Sequence, residues 1–239
     1  MIPKIIHYCW FGRGAMPQQV KDCMASWYEH MPDYDFRLWN EDNVDIESVP
    51  YAKEAYAAGI YAFVSDYVRL WALCNEGGLY LDTDVMVFKS FDNLLEYKAF
   101  AGFEGSKRLP VGTCVMASEA HGEWVTEMLG LYHDRHFVKP DGTGDMTSNV
   151  QLITGLMASQ GFRQDGTEQD YKDLHVFPVE FFCPMQTTGE YFRTENTYCD
   201  HLGVGSWAEE GPAWKRWVKN MVGQRNMTRL IKLKRKLFS

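Results

Sequence analysis

No run of 18 apolar residues occurs anywhere in the 239-residue chain, so the sequence predicts no transmembrane helix. The N-terminal segment MIPKIIHYCWFG lacks a signal-peptide layout, because its apolar run is short and contains His7. The six cysteines (Cys9, Cys23, Cys74, Cys114, Cys183 and Cys199) show no CxxC spacing. That absence favours reduced, packed thiols in the cytosol over disulfides or a zinc site. Internal repeats and low-complexity linkers are missing too, so no domain boundary is drawn before residue 210.

The longest stretch without an acidic residue lies at the C-terminal end. From Gly211 to Ser239 there are none, against nine basic ones. Taking those nine from the 24 basic residues leaves 15 against 32 acidic ones, a formal charge of −17 on residues 1–210. So acidic a body argues against nucleic-acid binding. An apolar fraction of 46% with 15% aromatics is ample for a large core and argues against disorder. The sequence divides into one domain over residues 1–210 and a basic, amphipathic helical tail over 211–239.

Strand and helix patterns interleave along the body. Pro3 to Cys9 reads as a buried strand, with Trp10-Phe11-Gly12 as the loop at its end. Pro17 opens a helix through about His30. Tyr34, Phe36 and Leu38 alternate as a strand, and Tyr51 to Ala58 is a short helix. Further strands are predicted at Phe100–Phe103, Val111–Ala117 and Leu174–Val179, and further helices at His121–His136 and Ser148–Ser159. The segment DGTGD from Asp141 to Asp145 lacks a phosphate-loop lysine and reads as a surface turn, with a lid as the alternative. This order predicts a three-layer α/β/α sheet of the Rossmann-like kind.

The chain is organised around SDYVRLWALCNEGGLYLDTD, from Ser65 to Asp84. Val64, Tyr67, Val68, Trp71 and Cys74 recur at helical spacing. Gly77-Gly78 stops that helix, since glycine reaches the positive φ that a C-terminal cap needs. Leu79-Tyr80-Leu81 begins a buried strand that delivers Asp82 and Asp84. In an extended chain residues two apart point to one side, so the two carboxylates share one space with Thr83 turned away. Such a pair suits a hard divalent cation, Mg²⁺ or Mn²⁺. Helix and strand each span roughly 16 Å from the glycine pair, which brings Asp66 level with Asp82 and Asp84. Arg69 lies one turn on, on the same helical face. Taken singly, Asp82 and Asp84 also suit an exposed turn, and Asp66 and Arg69 a surface pair.

The string SDxxRxxxLxxxGGxYLDxD, filled by Ser65, Asp66, Arg69, Leu73, Gly77, Gly78, Tyr80, Asp82 and Asp84, resembles the core signature of glycosyltransferase family 32. The N-terminal IPKIIHYCWFG is similar to that family's first strand, and HLGVGSW from His201 to Trp207 to its C-terminal HxxxxSW segment. The resemblance implies a GT-A type fold and a nucleotide sugar as donor. It also implies retention of anomeric configuration and work on bacterial capsule, O-antigen or exopolysaccharide. Trp10, with Tyr8 as a second candidate, takes the place of the tryptophan that stacks on the nucleotide base. Asp66 and Arg69 take those of residues that hold sugar hydroxyls, and Tyr80 is placed beside the sugar or nucleotide. Ser65 completes the donor-side string. Ser206 and Trp207, with Gly203 and Gly205, fall where the family closes over the diphosphate. His201 becomes a third metal ligand beside Asp82 and Asp84, and imidazole nitrogen suits Mn²⁺ better than Mg²⁺.

A UDP-hexose (glucose, galactose or an N-acetyl form) is the expected donor, with GDP-mannose as the alternative. The expected acceptor is a saccharide, lipid-linked, met on the inner face of the cell membrane by an otherwise cytoplasmic protein. The tail supports that location. Trp214, Trp217, Val218, Met221 and Val222 recur at helical spacing among Lys215, Arg216 and Lys219, the pattern of an interfacial helix. Two other classes use similar carboxylates: a metal-dependent nucleotide-sugar hydrolase and a carbohydrate-binding module holding Ca²⁺.

Overall fold

The structure is a computed structural model that describes residues 1–105, 110–184 and 193–203. Ser206, Trp207 and the whole tail over 211–239 lie outside the described residues. The strands are β1 (Ile5–Cys9), β2 (Asp35–Trp39), β3 (Gly78–Leu81), β4 (Val85–Val87), β5 (Ala99–Phe103), β6 (Val111–Ser118), β7 (Gln169–Tyr171), β8 (Leu174–Phe177) and β9 (Cys199–His201). The helices are α1 (Gln18–His30), α2 (Pro50–Ala57), α3 (Tyr61–Glu76), α4 (Glu123–Gly130) and α5 (Asn149–Ser159).

Seven strands form one mixed sheet in the order β2-β1-β3-β6-β5-β8-β7, and β4 pairs with β9 in a separate two-stranded sheet. Strand β1 runs parallel to β2 and β3, β6 runs antiparallel to β3 and β5, and β5 runs parallel to β8. The C-terminal ends of β1, β3 and β5 therefore open on the same edge, where ligands of α/β sheets gather.

Period-two alternation divides the strand residues between two cores. Tyr80, Ala99, Ala101, Phe103 and Met116 face a core built with α2 to α5. Ile6, Tyr8, Leu79, Leu81, Phe100, Val115 and Ala117 face the other, built with Trp27 of α1 and with β4 and β9. Burial on both faces is why these strands read as near-continuous apolar runs. The three layers are thus as expected, except that the second outer layer is α1 plus the small sheet rather than helices alone.

Most predicted elements fall within a residue or two of their expected bounds, and four differ. The strand after Leu81 does not run on through the aspartates: Asp82–Asp84 is a turn, closed by the Val85 N–H donating to the Asp82 carbonyl at 3.0 Å. The helix expected over 121–136 is only α4, eight residues long. Its start is capped from a distance, the Glu123 and Trp124 N–H groups both donating to the Asp173 carboxylate at 2.7 Å. Strands β7 and β9, three residues each, were not predicted, because so short a run carries no period. The DGTGD segment closes on itself as a turn, with the Lys139 N–H donating to the Thr143 carbonyl at 2.8 Å. Asp145 at its end pairs with Arg135 at 2.6 Å.

The glycine pair works as predicted but with a different geometry. Gly77 has φ 67° and ψ −178°, an extended positive-φ conformation essentially restricted to glycine, not the left-handed helical cap. A Cβ on Gly78 (φ +113°) would stand 2.7 Å from the Ile5 carbonyl oxygen. Glycine here lets β3 enter the sheet hard against β1. No helix among the described residues is long and apolar enough to cross a membrane.

Candidate active site

The site forms where the end of β3 meets the N-terminal half of α3. Helix α3 is amphipathic, and Asp66 and Arg69 lie on its buried side with Val68, Leu70 and Leu73. Arg69 is 5% exposed, so its charge must be met by protein oxygens. It has five contacts for five N–H groups. Nε donates to the Ser65 carbonyl at 3.2 Å, and Nη1 to the Thr113 carbonyl at 2.7 Å and to Asp82 Oδ2 at 3.4 Å. Nη2 lies 3.1 Å from Asp66 Oδ1 and 3.2 Å from Asp82 Oδ1. The guanidinium also sits 4.5 Å from the centre of the Tyr80 ring.

Burial works against the Arg69 charge, yet Asp82, Tyr80 and Asp66 outweigh it and hold its pKa well above the ordinary value. Burial pushes the Asp66 carboxyl above its usual range, while Arg69 and the Asn149 N–H pull the other way. That N–H, at the first position of α5, donates to Asp66 Oδ2 at 3.1 Å, and the Asn149 side chain donates to the Asp66 carbonyl at 3.2 Å. The positive end of α5 is thereby aimed at the carboxylate. Helix α5 is fixed at that end by a capping box between Ser148 and Gln151. Asn149 went unrecognised in the sequence because only the tertiary fold brings it to Asp66.

The two aspartates converge as expected, although through a turn rather than through strand alternation. Asp82 is held by Arg69 and by the Tyr80 hydroxyl, which donates to Oδ1 at 3.0 Å, and its N–H donates to the Cys114 carbonyl at 2.9 Å. Beyond the turn, α1 secures β4. Trp27 Nε1 donates to the Val85 carbonyl at 2.7 Å, and Ser26 Oγ accepts from the Val87 N–H at 2.9 Å. On its other side β4 takes β9 in a register that sets Val85 opposite His201. His201 Nε2 then lies 3.2 Å from Asp84 Oδ1. Ligand atoms of Asp82, Asp84 and His201 all lie within 4.8 Å of one another. Two carboxylates and one imidazole at that spacing fit a divalent cation.

The other sequence candidates take different places. Trp10 is half-buried after β1, its Nε1 donating to the Gly14 carbonyl at 2.7 Å. Tyr8 is buried edge-on against Trp27, and burial raises its pKa to about 12. Tyr80 is fully buried beneath Arg69 and Asp82, where its hydroxyl donates to the Asp82 carboxylate. The Ser65 hydroxyl donates back to the Tyr61 carbonyl at 3.2 Å, and its own carbonyl holds Arg69.

A third carboxylate, Glu104, went unnoticed in the sequence. It follows β5 at the same sheet edge, and burial raises its pKa, opposed by His201 and Arg69. Its position directly after a strand was the available signal. His7 shows the opposite case. It accepts from Trp39 Nε1 at 3.1 Å and lies 2.7 Å from the Gly77 carbonyl, a fully satisfied core histidine.

Residues 17–101 match the family model described as a glycosyltransferase sugar-binding region containing a DXD motif. This stretch of the chain is similar to the DXD glycosyltransferases. The match runs from the start of α1 into β5 and contains Asp66, Arg69, Asp82 and Asp84. Among curated relatives, inositol phosphoceramide mannosyltransferase 3 of Schizosaccharomyces pombe is 32% identical over 103 residues, covering 41% of this chain and 29% of that protein. The mannosyl phosphorylinositol ceramide synthase SUR1 of Saccharomyces cerevisiae is 27% identical over 150 residues, 59% of this chain and 37% of its own length. Subversion of eukaryotic traffic protein A of Legionella pneumophila is 28% identical over 118 residues, 38% of this chain and 18% of its own. The chain therefore spans well under half the length of these curated relatives.

Two solved structures share its fold. A glycosyltransferase involved in the glycosylation of the major capsid of PBCV-1 aligns with a TM-score of 0.51 at 14% identity, covering 87% of this chain and 97% of that one. The PaToxG glycosyltransferase aligns with a TM-score of 0.51 at 16% identity, covering 67% and 70%. The mixed α/β architecture is that of GT-A glycosyltransferases.

Proposed function

We propose that this protein transfers a hexose from a nucleotide diphosphate sugar to a saccharide or other hydroxyl acceptor, with retention of configuration. The observation that carries this reading is the joined cluster Asp66–Arg69–Asp82–Asp84–His201 within the DXD family region. Asp82, Asp84 and His201 would hold a divalent cation, which would supply charge stabilisation to the departing diphosphate. Nε and Nη1 of Arg69 are hydrogen-bonded to protein oxygens and Nη2 is ion-paired with Asp66 and Asp82, so Arg69 fixes those two carboxylates. Asp66 is left to accept from sugar hydroxyls, its charge balanced by Arg69 and by the N-terminus of α5. A binding module needs no such buried relay between sugar-side and metal-side carboxylates. A hydrolase would use the same groups on water. Radiolabelled nucleotide sugars with Mn²⁺, with and without acceptor, test the reading: transfer supports it, and release of free sugar alone overturns it.

For the donor we propose a UDP-hexose, with the half-buried Trp10 under the base. A second reading, GDP-mannose, is favoured by the names of the mannosyltransferases among the relatives. Base stacking on an aromatic is worth about 1–3 kcal/mol. Trp10→Ala is therefore expected to weaken nucleotide binding roughly ten- to a hundredfold, measured by calorimetry with UDP and with GDP in Mn²⁺. Stabilisation of the protein by GDP alone in a thermal shift assay selects the mannose reading.

The inositol phosphoceramide named for one relative is a membrane lipid, which supports a lipid-borne acceptor here as well. We propose that the basic tail brings a cytoplasmic domain to the inner face of the cell membrane. Anionic lipid contributes roughly 1 kcal/mol per basic residue at the surface. The full chain is expected to sediment with phosphatidylglycerol liposomes at low salt, and a chain ending at Gly223 less so. Both remaining in the supernatant would remove the membrane role.

A further inference from the structure

The six cysteines have no local spacing that suggests a ligand set, and all six are buried and free. The fold nevertheless brings two of them together beside the DXD turn. Cys114 lies on β6 one position before Val115, which pairs with Leu81 at the end of β3. Cys183 belongs to the segment after β8, where its N–H donates to the Val179 carbonyl at 3.0 Å. The two Sγ atoms are 3.3 Å apart. Glu104 and His201 complete the group: one ligand atom from each of Glu104, Cys114, Cys183 and His201 lies within 4.8 Å of all the others.

We propose that these four side chains form a binding site for a soft divalent cation of the zinc class, distinct from the DXD carboxylate pair and sharing His201 with it. Tetrahedral zinc has metal–sulfur bonds of about 2.3 Å and metal–nitrogen or metal–oxygen bonds of about 2.0–2.2 Å. The donor atoms of such a centre stand roughly 3.3–3.8 Å from one another, and the group here needs only sub-ångström to ångström adjustments to reach that. Two thiolates select zinc over the hard cations that carboxylates prefer. The four donors come from four separate segments, which is why no CxxC-like spacing announces them. His201 is common to both groups, and its Nε2 is 3.2 Å from Asp84. A zinc-class ion that takes this imidazole withdraws it from the DXD group, so bound zinc weakens Mn²⁺ there. That last consequence rests on the metal reading under Proposed function, whereas the four-donor site does not.

Cobalt is the probe, added to the reduced full-length chain after titration of six free thiols. One equivalent of Co²⁺ is expected to give an intense thiolate-to-cobalt charge-transfer band with the visible absorption of a tetrahedral ion, and Zn²⁺ is expected to displace it. Cys114→Ser and Cys183→Ser should each abolish the band, with circular dichroism showing both folded. Glu104→Gln should weaken Co²⁺ binding by roughly tenfold or more. Asp84→Asn should leave the band in place. Absence of a charge-transfer band with six thiols free overturns the proposal, as does a band unchanged in both cysteine variants. So does a band lost in Asp84→Asn, which would put the cobalt at the DXD turn. Mn²⁺ binding followed by electron paramagnetic resonance in wild type and Asp84→Asn reports the DXD reading separately.

Discussion

Replacing Asp84 by alanine is expected to lower sugar transfer at saturating donor and Mn²⁺ by at least about a hundredfold. Loss of one preorganised group that stabilises developing charge costs about 2.7–4 kcal/mol of barrier, or 10²–10³ in rate. Asp84 is the cleaner of the two DXD residues to test. Asp82 also anchors Arg69 and the Tyr80 hydroxyl, so its removal disturbs that buried network as well as the proposed metal group. The Asp84 carboxylate faces His201 across the join between β4 and β9, and that sheet is held independently by Trp27 and Ser26 of α1. The variant should therefore melt close to wild type while losing activity. Chelation of the wild-type protein should bring its rate down to a similar level. A variant as fast as wild type under these conditions would exclude a metal function for the pair.

Arg69→Met should show the opposite balance, a large loss of stability together with the loss of activity. Arg69 is the positive partner of two carboxylates, one of them the buried Asp66. Removing one member of a buried ion pair typically costs 3–5 kcal/mol, because the remaining charge stays desolvated. At about 2–4 °C per kcal/mol for a domain of this size, the melting temperature should fall by roughly 6–20 °C. Adding Asp66→Asn to Arg69→Met should recover part of the loss. The amide removes the stranded charge and still offers an oxygen to the Asn149 N–H. A single variant that melts within a degree or two of wild type would show that Arg69 is not what holds the site together.

Much of this arrangement is legible in the sequence. The period of α3, the glycine stop and the strand into Asp82 are local features, set by backbone conformation and by which residues can be buried. Their lengths alone bring Asp66, Arg69 and Asp82 to one level. The turn at 82–84 was read as strand because both conformations place residues 82 and 84 on a shared side. Tyr80 shows the limit of the string itself. Spacing puts it near Asp82, but only packing shows that it is buried beneath that carboxylate with its hydroxyl bonded to it.

The sequence by itself determined the likeness to the DXD glycosyltransferases, the mixed α/β class, the acid–base cluster where α3 meets the end of β3, and the charge divide at residue 210. Tertiary structure alone decided which distant residues complete that cluster. His201 arrives through β9 pairing with β4, more than a hundred residues earlier in the chain, and Asn149 through the N-terminus of α5 meeting Asp66. Glu104 and the Cys114–Cys183 pair arrive through the order of strands in the sheet. Helix and turn signals are written in neighbours a few residues apart and so can be read from the string. Pairing between strands is a choice among many partners, settled by burial of both sheet faces at once.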